Sequence, residues 1–329
     1  MPVRISLPAF LSVQSCADTV AVSRQILVAH NDIDLDATKV RFVDPFGLTL
    51  AGSSFHQVLR HGRVVRIRGL NPELRGYLTR MNLFEGVKFV DGAPSQAGRH
   101  NRADSLVELT HLQEPGEVDA ASYRLAQALV GKITAGDNDS PDEMTGFRPS
   151  ERLMEPVQYA LSELLENALT HAKAHGFQGA CVSVAGQYYP KSDRVQLSVA
   201  DNGCGFLSSL RDHPSLRRET HQEAILLGLR PRVSCNRDLG LFDETVNEGV
   251  GLTTVLRIAE YAGGRAMVLS GDFMHDTTAK TSTGRLPEGT FWQGVTVVLE
   301  FRRNLLPKVR FRDLLPVLDR EPHINLRFE

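Results

Sequence analysis

A break in the residue pattern constrains this chain before anything else. Residues 91–101 are rich in Gly, Ala, Ser and Pro, which reads as loop or linker, with strand and helix signals on both sides. The chain therefore divides, and its 329 residues suffice for two domains with their own cores at about 150 residues each. An apolar content of 42% with 23% charged residues excludes a disordered or collagen-like chain. The 37 basic side chains nearly balance the 39 acidic ones, so no global field draws the protein to nucleic acid or acidic membranes. No nucleic-acid motif is present. No apolar run approaches the roughly 20 residues that span a bilayer, and the N-terminus lacks a basic head followed by an apolar stretch. Cys16, Cys181, Cys204 and Cys235 are too widely spaced for a metal-ligand pair or a disulfide framework. Reduced thiols and a cytoplasmic location are expected.

Ahead of the break, residues 3–13 and 33–43 read as strands around a helix at 18–30. Asp44-Pro45-Phe46-Gly47 turns into a helix at 48–59 that stops at His61-Gly62. Residues 63–68 alternate, with Val65 and Ile67 opposite Arg66 and Arg68, and Pro72 opens a short helix to 81. Such alternation predicts an α/β unit of about one hundred residues. Beyond the break the expected elements are a helix at 119–133 and a long helix at 151–175, capped by Ser150 and stopped at Gly176. Strands follow at 180–189 and 194–200, then a helix at 250–261, then strands at 265–269 and 292–301.

The long helix carries Glu163, Asn167 and His171 at i, i+4 and i+8, a face distinct from the apolar stripe of Val157, Leu161, Leu164, Leu165, Ala168 and Ala172. A carboxylate and an amide oxygen one turn apart suit activation of a water and capture of a magnesium ion, although solvated helix surface shows such pairs too. Next, Asp201-Asn202-Gly203-Cys204-Gly205 places a carboxylate at a strand end before two glycines. A buried Asp there can accept from an amino group such as that of adenine, and the glycines admit a flat ligand. Gly249-Val250-Gly251-Leu252 then opens a helix whose free N–H groups suit phosphates, and Gly289-Thr290 precedes the final strand. Each glycine pair alone reads as a turn; the order of all four carries the information. No Gly-x-x-x-x-Gly-Lys-Ser/Thr loop or three-glycine dinucleotide fingerprint competes.

Together these residues resemble the GHKL ATPases, the group of gyrase, the heat-shock chaperone, histidine kinases and the mismatch-repair protein. The resemblance runs over about 115–303, with boxes at 163–167, 201–205 and 249–252. It implies an α/β sandwich, a mixed sheet with helices on one face, binding ATP beneath a lid. Asn167 would coordinate magnesium, Asp201 would read adenine, and Glu163 would be the general base. Gly203, Gly205, Gly249, Val250, Gly251, Leu252 and Thr290 would complete the ATP site. His171 is similar to its counterpart in the anti-sigma-factor kinase branch. Residues 206–248 would hold a helix at 215–229 and then the lid, whose Arg230, Arg232 and Arg237 read equally as phosphate or partner contacts and as solvated charge.

Residues 1–90 resemble STAS domains through Ile33-Asp34-Leu35-Asp36, 42–48, 62–70 and 78–84. Phe46 stands where phosphorylatable members carry Ser or Thr, so a docking, dimerisation or sensing module is expected instead of a phosphorylation switch. The expected organisation is a STAS-like domain at 1–90, a linker at 91–114, the ATP-binding domain at 115–303 and a tail at 304–329. No acceptor histidine lies on a helical hairpin ahead of the ATPase unit, which argues against histidine autophosphorylation. The expected function is an ATP-binding regulator with magnesium-dependent ATPase activity and a protein partner or homodimer. A serine/threonine kinase of the anti-sigma type and a non-catalytic ATP sensor are the alternatives.

Overall fold

The computed structural model describes residues 1–92, 102–130, 148–230, 251–278 and 284–309, with isolated positions between 140 and 146. The first unit is a four-stranded parallel sheet in the order β1 (Val3–Ser6), β3 (Ile33–Asp36), β5 (Val65–Arg68), β6 (Lys88–Phe89). Helices α1 (Cys16–Leu27), α2 (Pro45–Arg60) and α3 (Pro72–Arg80) provide the crossovers that parallel pairing requires. The strand expected at 3–13 is interrupted after Ser6, and a separate β2 (Phe10–Leu11) pairs with β4 (Phe42–Val43).

The Asp44-Pro45-Phe46-Gly47 turn has a clear local logic. Asp44 caps α2 by accepting from Gly47 N at 2.9 Å, and Pro45 occupies the first turn, where its missing N–H costs nothing. A Cβ on Gly47 would stand 2.1 Å from Leu11 O, so only glycine lets the helix cross β2 this closely. Phe46 is buried, with 1% of its surface exposed.

The second unit is a seven-stranded sheet in the order β12 (Gly284–Arg285), β11 (Phe273–Asp276), β10 (Arg265–Gly271), β13 (Trp292–Arg302), β9 (Arg194–Asp201), β8 (Val182–Tyr189), β7 (Leu106–Leu112). The α/β class is as expected, but every described ladder in this sheet is antiparallel, where a mixed sheet was anticipated. β7 also corrects the linker at 91–114, because Leu106, Val107, Leu109 and Leu112 are buried within the sheet edge. Helices α4 (Val118–Val130), α5 (Pro149–Ala172) and α8 (Gly251–Tyr261) cover one face. The N-cap of α5 is Arg148 instead of Ser150: Arg148 N donates to Glu151 Oε2 at 2.8 Å. α7 (His221–Gly228) falls within the helix expected at 215–229 but is shorter, and an additional short helix, α6 (Gly205–Leu210), precedes it.

Along β9, Val195, Leu197 and Val199 enter the helix-side core, whereas Gln196, Ser198 and Ala200 point the other way and are also buried. The reason is α2, which lies across β8 and β9 on that second face. Arg303, just after β13, is 5% exposed; its guanidinium sits 3.6 Å from the Tyr188 ring centre and donates to Asp104 O and Ala128 O. Burial pulls its pKa below the usual range. Arg303→Lys loses the planar fork and the ring stacking, so urea denaturation should show a loss of about 1–3 kcal/mol. An unchanged midpoint would mean the clamp contributes nothing.

Candidate functional site

The helical period brings Asn167 and His171 of α5 to one cavity, with Leu164, Ala168 and Ala172 beside them. Val199, Val295 and Val297 form its sheet wall, Phe206, Ser209 and Leu210 come from α6, Gly228 from α7 and Leu252 from α8. The result is a mostly apolar slot with a buried carboxylate, Asp201, in its lining. A Cβ on Gly228 would stand 2.6 Å from the Phe206 ring, so that glycine makes room for the ring.

Asp201 ends β9 and is 4% exposed. Its Oδ1 accepts from Gly203 N at 2.8 Å and its Oδ2 from Val295 N at 3.1 Å. Its carbonyl accepts from Trp292 Nε1 at 2.9 Å. Burial pushes the carboxyl up to about 7, against the opposing pull of the Gly203 and Val295 amides. The Asp201 charge acts on the Cys204 and Cys181 thiols, and His171 lines the same cavity. Burial raises both thiols and lowers His171.

The glycines after Asp201 act differently from the expected ligand contact. A Cβ on Gly203 would lie 2.2 Å from Ala172 O, so Gly203 lets the turn abut the end of α5. Gly205 has φ +75° and faces Gln293 O, 2.5 Å from where its Cβ would be, so it fits the turn against β13. Both place Asp201; Gly205 also lines the cavity.

Two expected residues, Glu163 and Thr290, stand outside the cavity lining. Glu163 is half-buried one turn before Asn167 and is not among the described cavity-lining residues. Burial raises its pKa, the like charge of Glu166 adds to this, and a hydrogen bond from Tyr159 opposes it. Thr290 lies in the turn before β13, its N–H donating to Pro287 O at 2.9 Å, and does not line the cavity. Gly294 and Val295 take the place next to Asp201: a Cβ on Gly294 would stand 2.1 Å from Asp201 O. An isolated glycine within the apolar run of β13 was the available signal for that close approach. Gly249 and Val250, with lid residues from 231 to 250, lie outside the described residues. Gly251 is the first residue of α8, and Leu252 reaches the cavity.

A magnesium ion fits this donor set in a limited way. Among the described residues no three His, Cys, Asp or Glu side chains group as a metal cage. Asn167 offers an amide oxygen at the cavity, which suits an ion held mainly by phosphates and waters.

Residues 154–303 match the family model described as histidine kinase-, DNA gyrase B-, and HSP90-like ATPase. The match spans just under half of the chain, from within α5 to the residue after β13, and supports a GHKL ATPase domain there. No curated protein and no solved structure matches the chain significantly. Among the described residues, no helix is long and apolar enough to cross a membrane.

Proposed function

We propose that the second unit binds ATP with magnesium and hydrolyses it, so that nucleotide state governs a partner surface of a regulatory protein. The observation that carries this reading is the apolar slot lined by buried Asp201, inside the segment that matches the ATPase family. The adenine ring lies between the valines of β9 and β13 and the residues of α6, and its amine donates to Asp201. Asn167 holds the magnesium ion, which neutralises phosphate charge when bound. Glu163, one turn away, orients the attacking water, and its raised pKa makes it a stronger proton acceptor once ionised. The STAS-like first unit provides the docking module.

Following the terminal phosphate of labelled ATP tests the reading. Free phosphate supports hydrolysis, labelled protein or partner supports a kinase, and bound but intact ATP supports a sensor. Glu163→Gln should slow turnover by about 100-fold or more with ATP affinity kept, the usual size of lost general-base catalysis. Unchanged turnover would remove Glu163 from the chemistry.

The Asp201 carboxyl also sets a pH dependence. Its folded pKa lies above the unfolded value, so folding stability falls as pH rises from about 4 to 7 and is level above that. A ligand amine prefers the ionised carboxylate, so ATP affinity moves oppositely, rising about tenfold from pH 6 to pH 8. Titrations of the protein and of Asp201→Asn across this range check it, because their difference removes the phosphates' own titration. Parallel profiles would refute the assignment.

A further inference from the structure

The two units meet through a surface built like an interior. Phe46 and Leu50 of α2, 1% and 0% exposed, share a buried cluster with Ala200, Leu269, Trp292 and Val298 of the large sheet. Several polar side chains bond across the interface. Gln196 Nε2 donates to Asp44 Oδ2 at 3.0 Å, the Thr49 and Ser198 hydroxyls lie 2.7 Å apart, and Asn202 Nδ2 donates to Gln57 Oε1 at 3.4 Å. Buried polar pairs around an aromatic anchor mark a lasting contact and not an exchangeable one.

This contact reaches the pocket from behind. Trp292 of the shared cluster donates its indole N–H to the Asp201 carbonyl, and Asn202, bonded to Gln57, is the next residue in the chain. The cavity opens on the opposite side of the same sheet, where Val199 and Val297 face α5. Close-packed interiors have no slack to absorb a shift, so a displacement of α2 changes where Asp201 is held.

We propose that residues 1–92 are a built-in positioning element of the nucleotide pocket, with Phe46 acting through Trp292 on Asp201, so that pocket occupancy and docking of the first unit are coupled. The proposal rests on the reading of the cavity as an ATP site. By reciprocity, nucleotide tightens the docking of α2 as much as docking tightens nucleotide.

Hydrogen exchange of the full chain, with and without saturating ADP, tests it. Slowed exchange in α5 and β9 and also in α2 is the expected result. Slowing in α5 and β9 with none in α2 would overturn the coupling and leave the nucleotide reading intact. No slowing anywhere would overturn that reading and the coupling with it. Phe46→Ala gives a second readout: ADP affinity should drop about tenfold, an ordinary coupling magnitude, and the midpoint of its pH profile should move below that of the unaltered protein. Phe46→Leu should restore most of both. A folded Phe46→Ala with affinity and midpoint unchanged would overturn the proposal; if it does not fold, the exchange experiment decides.

Discussion

Asp201→Asn should weaken ATP binding by between about 5-fold and 150-fold, the equivalent of roughly 1–3 kcal/mol for a buried polar contact. Each carboxylate oxygen of Asp201 already accepts one backbone N–H, from Gly203 and from Val295. An asparagine must turn its NH2 toward one of those donors, or toward the adenine amine, and no rotation avoids both conflicts. Removal of the buried charge offsets part of this, because burial already holds the carboxyl near neutral pH at about 7. The orphaned donor wins the comparison, since the two backbone amides already compensate the ionised carboxylate. Calorimetric titration at pH 8 together with thermal unfolding separates binding from folding effects. Unaltered affinity in a folded variant would take Asp201 out of adenine recognition.

Gly203→Ala should be the most damaging single change to the fold near the site, costing about 3 kcal/mol or more. Its new methyl would meet Ala172 at 2.2 Å from the carbonyl oxygen and 2.4 Å from Cα. Those are backbone atoms at the end of α5, so no side-chain rotation relieves the clash. The turn must move, and the Gly203 N–H then leaves Asp201. Urea denaturation should therefore show a large fall in midpoint, accompanied by loss of nucleotide binding. A variant of ordinary stability would show that the turn and α5 are not held as closely as described.

Some of this was legible in the residues and some was not, for identifiable physical reasons. The spacing along α5 and the Asp-x-Gly-x-Gly run predicted which segments meet, and Asn167, Asp201, Gly205 and Leu252 do line one cavity. The reason for the glycines was hidden, because their neighbours in space are Ala172 and Gln293, remote in sequence. Gln196 and Ser198 alternate with the apolar residues of β9, yet both are 0% exposed under α2. Only the tertiary contact could reveal that. Thr290 fits a motif by its place before a strand, but β13 begins at Trp292 and runs on until Gly294 and Val295 meet Asp201. β7 was concealed by the loop-like stretch in front of it, and its pairing partner β8 lies some seventy residues further on.

Recognition of adenine through its exocyclic amine is open to one decisive comparison. Titrating the full chain with ATP and with inosine triphosphate, which carries a carbonyl where adenine carries the amine, isolates that contact. Saturable ATP binding at least about tenfold tighter than binding of the inosine analogue is the expected result, since a site built around a hydrogen bond rejects the ligand lacking it. Equal affinities, or no saturable ATP binding at all, would contradict it.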